Sequence, residues 1–165
     1  MSTKSPSKGK VYGFVEQLEM GKSGEAILDE YFGQWYDIRN VTLAVEKSMG
    51  VDREFRRKGD DEMWYVEYKT DSRTQDTGNI FVETMSNDTL GRYGWAWTTK
   101  ADLVMYFAMP DTIYVFKPNK VRDMITTWRG QFGLRKIPNR GYKSHGIPVP
   151  EGEFAQVCEA VRRLT

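Results

Sequence analysis

Met63-Trp64-Tyr65-Val66-Glu67-Tyr68-Lys69-Thr70 is the stretch on which the fold of this chain turns. It is dense in aromatic and β-branched residues, which predicts a strand. Just upstream, Lys58-Gly59-Asp60-Asp61 reads as a tight turn and Val51 to Arg57 as a second strand, so the two form a predicted hairpin. Side chains alternate along a strand, so Glu67 and Lys69 project from one face, two residues apart. The turn can set Asp52 beside them on the neighbouring strand. The plain alternative is a half-exposed strand with an ordinary Glu/Lys face. A run this apolar argues against it, because a charged pair on a buried strand needs a reason.

Further out, Ser23 can cap a helix running to about Phe32, with Gly33 as its stop. Ile27, Leu28, Tyr31 and Phe32 form its apolar stripe. Glu25 falls at the edge of that stripe and Glu30 towards solvent. Trp35 to Val41 predicts a strand, whereas Thr42 to Met49 suits strand or helix. Asn79 to Ser86 is a further strand candidate. Leu103 to Ala108 and Thr112 to Phe116 predict a hairpin turning at Pro110-Asp111. A helix follows from about Lys120 to Phe132, then a basic loop rich in Gly and Pro. A last helix is predicted from about Glu151 to Leu164, with Phe154, Val157, Cys158, Val161 and Leu164 on one face. The fold class is α/β (α+β), a mixed sheet flanked by helices.

The 165 residues suit one domain, with residues 1–10 as a flexible basic tail and residues 11–165 as the domain. The net charge is only +1, so the placement of charge matters more than its sum. Arg129, Arg135, Lys136, Arg140 and Lys143 lie in a segment without acids, and such runs attract phosphates. A single cysteine, Cys158, excludes an internal disulfide and a multi-cysteine zinc site. It suits a reducing, cytoplasmic setting. No apolar run approaches the roughly 20 residues of a membrane span.

Two carboxylates and an ammonium at one point suit phosphodiester hydrolysis. Mg²⁺ takes oxygen ligands, usually one or two protein carboxylates, and keeps several waters. It polarises a phosphate and lowers the pKa of a bound water. A lysine beside it can orient that water or stabilise charge building on phosphate oxygens.

Gly50-Val51-Asp52-Arg53 followed by Val66-Glu67-Tyr68-Lys69-Thr70-Asp71 resembles the PD-(D/E)xK nuclease superfamily. The resemblance covers roughly residues 23–116. Thr77-Gly78-Asn79-Ile80-Phe81-Val82-Glu83 and Lys100-Ala101-Asp102 also look like segments of small phage and bacterial members. The resemblance implies a restriction-endonuclease-like fold of core order αβββαβ, here with C-terminal helices. Asp52 and Glu67 would be the metal-binding acids, the Tyr68 carbonyl a further metal ligand, and Lys69 the catalytic lysine. Gly24-Glu25 matches the helix glutamate of that family, which makes Glu25 the fourth catalytic candidate. Mg²⁺ would be the cofactor, with Mn²⁺ able to substitute. DNA would be the partner, and a homodimer or higher homo-oligomer is compatible. No Pro precedes Asp52, and Asp71 to Asn79 does not read as the long helix of the family's crossover.

The leading functional expectation is a DNA endonuclease of restriction, homing or phage type. A Holliday-junction resolvase would use the same residues, and a nucleic-acid-binding protein of the same fold would have lost cutting. Outside the site, Glu83 and Asp102 read mainly as surface or hydrogen-bonding acids. His145 reads as a loop residue, Trp95 and Trp97 as core, and Gly91-Arg92-Tyr93-Gly94 as a turn.

Overall fold

The computed structural model describes residues 14–164, with side chains from residue 19 onward, so the basic tail lies outside the described residues. The first helix, α1 (Phe14–Phe32), begins well before Ser23, which is therefore interior and not a cap. The preceding Glu-Gln-Leu-Glu-Met run is made of good helix formers and extends the helix backwards. Gly33 ends it, its amide donating to the Asp29 carbonyl at 2.9 Å.

The chain then forms β1 (Tyr36–Asn40), α2 (Leu43–Met49), β2 (Arg53–Arg57) and β3 (Met63–Asp71). The ambiguous stretch before Gly50 is helical because both ends are capped. Thr42 Oγ1 accepts from the Val45 amide, and Gly50 takes the left-handed conformation at φ 63°. The predicted β2–β3 hairpin is present, with Phe55 opposite Trp64 and Arg53 opposite Val66.

From β3 the chain passes through α3 (Thr74–Thr77), β4 (Asn79–Asn87), β5 (Arg92–Tyr93) and α4 (Trp95–Thr98) to β6 (Leu103–Ala108). β6 lies parallel to β3, Lys69 opposite Tyr106. The crossover thus holds two four-residue helices and a strand pair where the αβββαβ order leads one to expect a single long helix. β7 (Thr112–Phe116) completes the expected second hairpin. α5 (Pro118–Phe132), β8 (Arg135–Pro138), β9 (Lys143–Pro150), α6 (Glu151–Ala155) and β10 (Ala160–Arg163) follow.

Two expectations fail in this last part. The basic segment after α5 is a β8–β9 hairpin and not an open loop. The C-terminal helix stops at Ala155, and residues 160–163 pair with β7 as an edge strand. The spacing of Phe154, Val157 and Val161 is compatible with a helix. The open edge of β7 offers backbone partners instead, and tertiary pairing overrides the local pattern.

The strands make two sheets: a mixed one of order β1-β2-β3-β6-β7-β10 and an antiparallel one of order β5-β4-β9-β8. Alternation along β3 and β6 separates two cores. Val66, Tyr68, Met105 and Phe107 pack against Leu28 and Phe32 of α1. Val104, Tyr106 and Phe116 pack on the opposite side against α5, Phe154 and the second sheet's Ile80, Val82, Ile147 and Val149. Helices therefore flank the mixed sheet. Among the described residues no helix is long and apolar enough to cross a membrane. α1 approaches the end of β3 closely: a Cβ on Gly24 would lie 2.2 Å from Thr70 Oγ1. Only glycine permits that approach without a shift, and it brings the turn carrying Glu25 and Asp29 over the hairpin.

Candidate active site

Glu67 and Lys69 project from β3 away from α1, as the alternation requires. Lys69 Nζ lies 2.7 Å from Glu67 Oε1. Glu67 is only 6% exposed, and its second oxygen, Oε2, is buried with no hydrogen-bond partner among the described residues. A buried carboxylate oxygen left unsatisfied is costly, so its retention calls for an explanation.

Asp52 sits just before β2. Its amide donates to the Val66 carbonyl at 2.9 Å, and its Oδ2 accepts the Tyr68 amide at 2.7 Å. The side chain thus takes over the sheet ladder where β2 has ended. Within a strand the N–H and C=O of one residue point to the same side. The Tyr68 carbonyl therefore also faces the edge occupied by Asp52. Asp52 borders an open cleft of about 400 Å³ shared with Glu25, Asn40, Glu46 and Arg53.

Glu83 on β4 joins this group, although its sequence context reads as an ordinary acid. The Trp95 amide donates to its carboxylate. Gly94 makes the approach feasible, because a Cβ there would lie 2.3 Å from the Glu83 carbonyl oxygen. Burial raises the Glu83 carboxyl above its ordinary range; the Lys69 ammonium and the Trp95 amide oppose that rise and the Glu67 charge adds to it. For Lys69, desolvation disfavours the charge. The Glu67 carboxylate and its hydrogen bond, with the fields of Glu83 and Asp52, outweigh it and hold the ammonium above its ordinary value. Lys69 is therefore paired with Glu67 and lies in the fields of Glu83 and Asp52, which together favour its charged form.

Glu25 reaches the cleft but not the Lys69 group. Its Oε2 lies 3.3 Å from Arg53 Nη2. Asp29, one turn further along α1, bonds both Arg53 and the Tyr68 hydroxyl. The helical spacing could have found it, since Asp29 follows Glu25 by four residues on the same face. Glu30 is exposed, as expected.

The five basic candidates, Arg129, Arg135, Lys136, Arg140 and Lys143, are all exposed. None forms an ion pair among the described residues. Arg129 ends α5 and the other four ride the β8–β9 hairpin. Glu83 pairs with Gly146, and Gly146 with Arg135. Cross-strand partners share a face, so Arg135 stands on the Glu83 face of the second sheet, two strand spacings or roughly 10 Å away. Lys136 takes the opposite face.

The remaining residues have structural roles. Asp102 Oδ2 accepts the Tyr65 amide at 2.8 Å. His145 Nε2 lies 3.2 Å from Asp88 Oδ2. Trp95 is buried against Tyr106 and Phe116, while its neighbour Trp97 is 47% exposed, because the pair lies on the helix α4 and not on a strand. Burial, with Glu159 adding, pushes the Cys158 thiol up to about 12, and its Sγ donates to the Phe154 carbonyl at 3.3 Å, both of which disfavour the thiolate.

Among the described residues no three His, Cys, Asp or Glu side chains are close enough to hold a metal by themselves. Mg²⁺ does not require three: one or two carboxylates and waters are its usual set. The unpartnered Glu67 Oε2, the Asp52 carboxylate at the start of the neighbouring strand and the Tyr68 carbonyl are all oxygen donors, the chemistry that Mg²⁺ takes. No protein-family model, curated protein or solved structure matches the chain.

Proposed function

We propose that this chain is a Mg²⁺-dependent DNA endonuclease with a PD-(D/E)xK site on a restriction-endonuclease-like core. The observation that carries the reading is the buried, unpartnered Oε2 of Glu67, next to a fixed ammonium and on the same hairpin as Asp52. The order α1, β1, β2, β3, crossover, parallel β6 supports the same fold, the crossover helix being replaced by α3 to α4.

In this reading Asp52, Glu67 and the Tyr68 carbonyl hold the metal. When bound, Mg²⁺ would polarise the scissile phosphate and make water a better nucleophile. Asp52 and Glu67 provide the negative charge that recruits the ion. Lys69, whose charged form is favoured by Glu67 and by the fields of Glu83 and Asp52, would donate to phosphate oxygens as negative charge builds on them. Mg²⁺ with plasmid or synthetic duplex DNA should give cleavage, Mn²⁺ should substitute, and excess EDTA should stop the reaction. Full activity in EDTA would overturn the metal mechanism.

Arg135 supports DNA as the substrate, since it stands on the Glu83 face of the second sheet. Each phosphate contact releases counterions, so affinity should fall steeply with salt. Arg135→Ala should weaken DNA binding and flatten the slope of log affinity against log salt by about one unit. Lys136→Ala, on the other face, should change the slope by less. Equal slopes for both variants and wild type would move the DNA path away from this hairpin.

A further inference from the structure

We infer that Arg53 is a positioning residue for the metal-binding edge formed by Asp52 and Tyr68, an inference that rests on the nuclease reading above. The observations form a closed ring. Arg53 Nη1 donates to the Asp52 carbonyl at 3.0 Å. Its Nε and Nη2 each lie 3.1 Å from a different oxygen of Asp29. Asp29 Oδ1 in turn accepts the Tyr68 hydroxyl at 2.9 Å. The Tyr68 amide donates back to Asp52 Oδ2 at 2.7 Å. The guanidinium also lies over the Tyr68 ring, 5.2 Å from its centroid.

This ring holds Asp52 from two sides, by its backbone carbonyl and by its carboxylate. It also fixes Tyr68 from two sides, by its amide and its hydroxyl. Those are the two residues whose oxygens lie at the end of β2, where no strand partner restrains them. Asp29 and Glu25 anchor the ring in α1, and Gly24 lets α1 come close enough to do so. Burial disfavours the Arg53 charge, yet the Asp29 hydrogen bond and the Asp29 and Glu25 charges outweigh it, so the clamp is permanently cationic. A guanidinium offers a planar fork to three acceptors at once; an ammonium cannot reproduce it. Residues that orient metal ligands through hydrogen bonds act on affinity and not on ligand count.

The test is Mg²⁺ titration of the full chain by calorimetry, with circular dichroism in EDTA to check the fold and a DNA cleavage assay on wild type alongside. Arg53→Met should weaken Mg²⁺ binding about 10- to 100-fold with the spectrum unchanged. Arg53→Lys should not restore it. Tyr68→Phe, which removes one hydroxyl and little else, should weaken binding several-fold, and its effect should be non-additive with that of Arg53→Met. If Arg53→Met fails to fold, Tyr68→Phe decides alone. Mg²⁺ affinities within about twofold of wild type in the folded variants would overturn the inference while leaving the nuclease reading in place. A wild-type chain that neither binds Mg²⁺ nor cuts DNA would overturn the reading and the inference together.

Discussion

Glu67→Gln is expected to reduce DNA cleavage by about a thousandfold, the scale on which one preorganised charge-stabilising group acts. In EDTA the same variant should be at least as stable as wild type. The amide keeps the size of the side chain and an oxygen facing Lys69, but removes a carboxylate charge that adds to the fields of Glu83 and Asp52 at Lys69. Like charges so placed repel, and functional sites commonly carry such destabilisation. The wild-type protein should therefore gain thermal stability on adding Mg²⁺, by the ordinary linkage of binding to folding, and Glu67→Gln should lose that gain. Thermal melts with and without Mg²⁺, run beside the cleavage assay, check both halves. Cleavage at the wild-type rate, or an undiminished Mg²⁺ effect on melting, would mean that Glu67 Oε2 is not a ligand.

The second large effect is expected at Lys69. Lys69→Met keeps the aliphatic stem and removes the charge. Turnover should fall about 10²- to 10³-fold, because the proposed contact strengthens only as phosphate charge builds. DNA affinity should change little. Stability without metal should fall, because Glu67, Glu83 and Asp52 lose the cation they share. Single-turnover rates, DNA affinity and melting together give the answer. A large affinity loss at unchanged turnover would make Lys69 a phosphate anchor instead. The opposite stability changes expected for Glu67→Gln and Lys69→Met are informative as a pair, since a purely structural ion pair would lose stability in both.

Much of the central sheet was legible because its strands carry dense local signals. Met63 to Thr70, Leu103 to Ala108 and Thr112 to Phe116 are rich in β-branched and aromatic residues and are bounded by turns. The same alternation placed Glu67 beside Lys69. Glu83 was not legible as a site residue, because nothing within β4 indicates that a crossover returns it to β3. Asp29 was legible only in part, since its spacing from Glu25 places it on the same helix face but does not reveal what it bonds. Its partners, Arg53 and Tyr68, lie 24 and 39 residues away, beyond the reach of any local pattern. The C-terminal strand was hidden by a pattern that serves a helix equally well, and the choice rested on an unfilled edge at β7. The basic segment reads as a loop in sequence because its Gly and Pro residues suggest breaks, whereas the β8–β9 pairing accommodates Pro138 at a sheet edge.

The parallel contact between β3 and β6 also bears on when the acidic pocket comes into being. Asp52, Glu67 and Lys69 belong to a local hairpin, which needs only a short loop to close. Glu83 is delivered by the long excursion that precedes β6, and Val66 must find Leu103 before that excursion is fixed. Contacts of such sequence separation form late, after the loop entropy has been overcome. A growing polypeptide that has released the hairpin but not β4 therefore carries Asp52, Glu67 and Lys69 without Glu83.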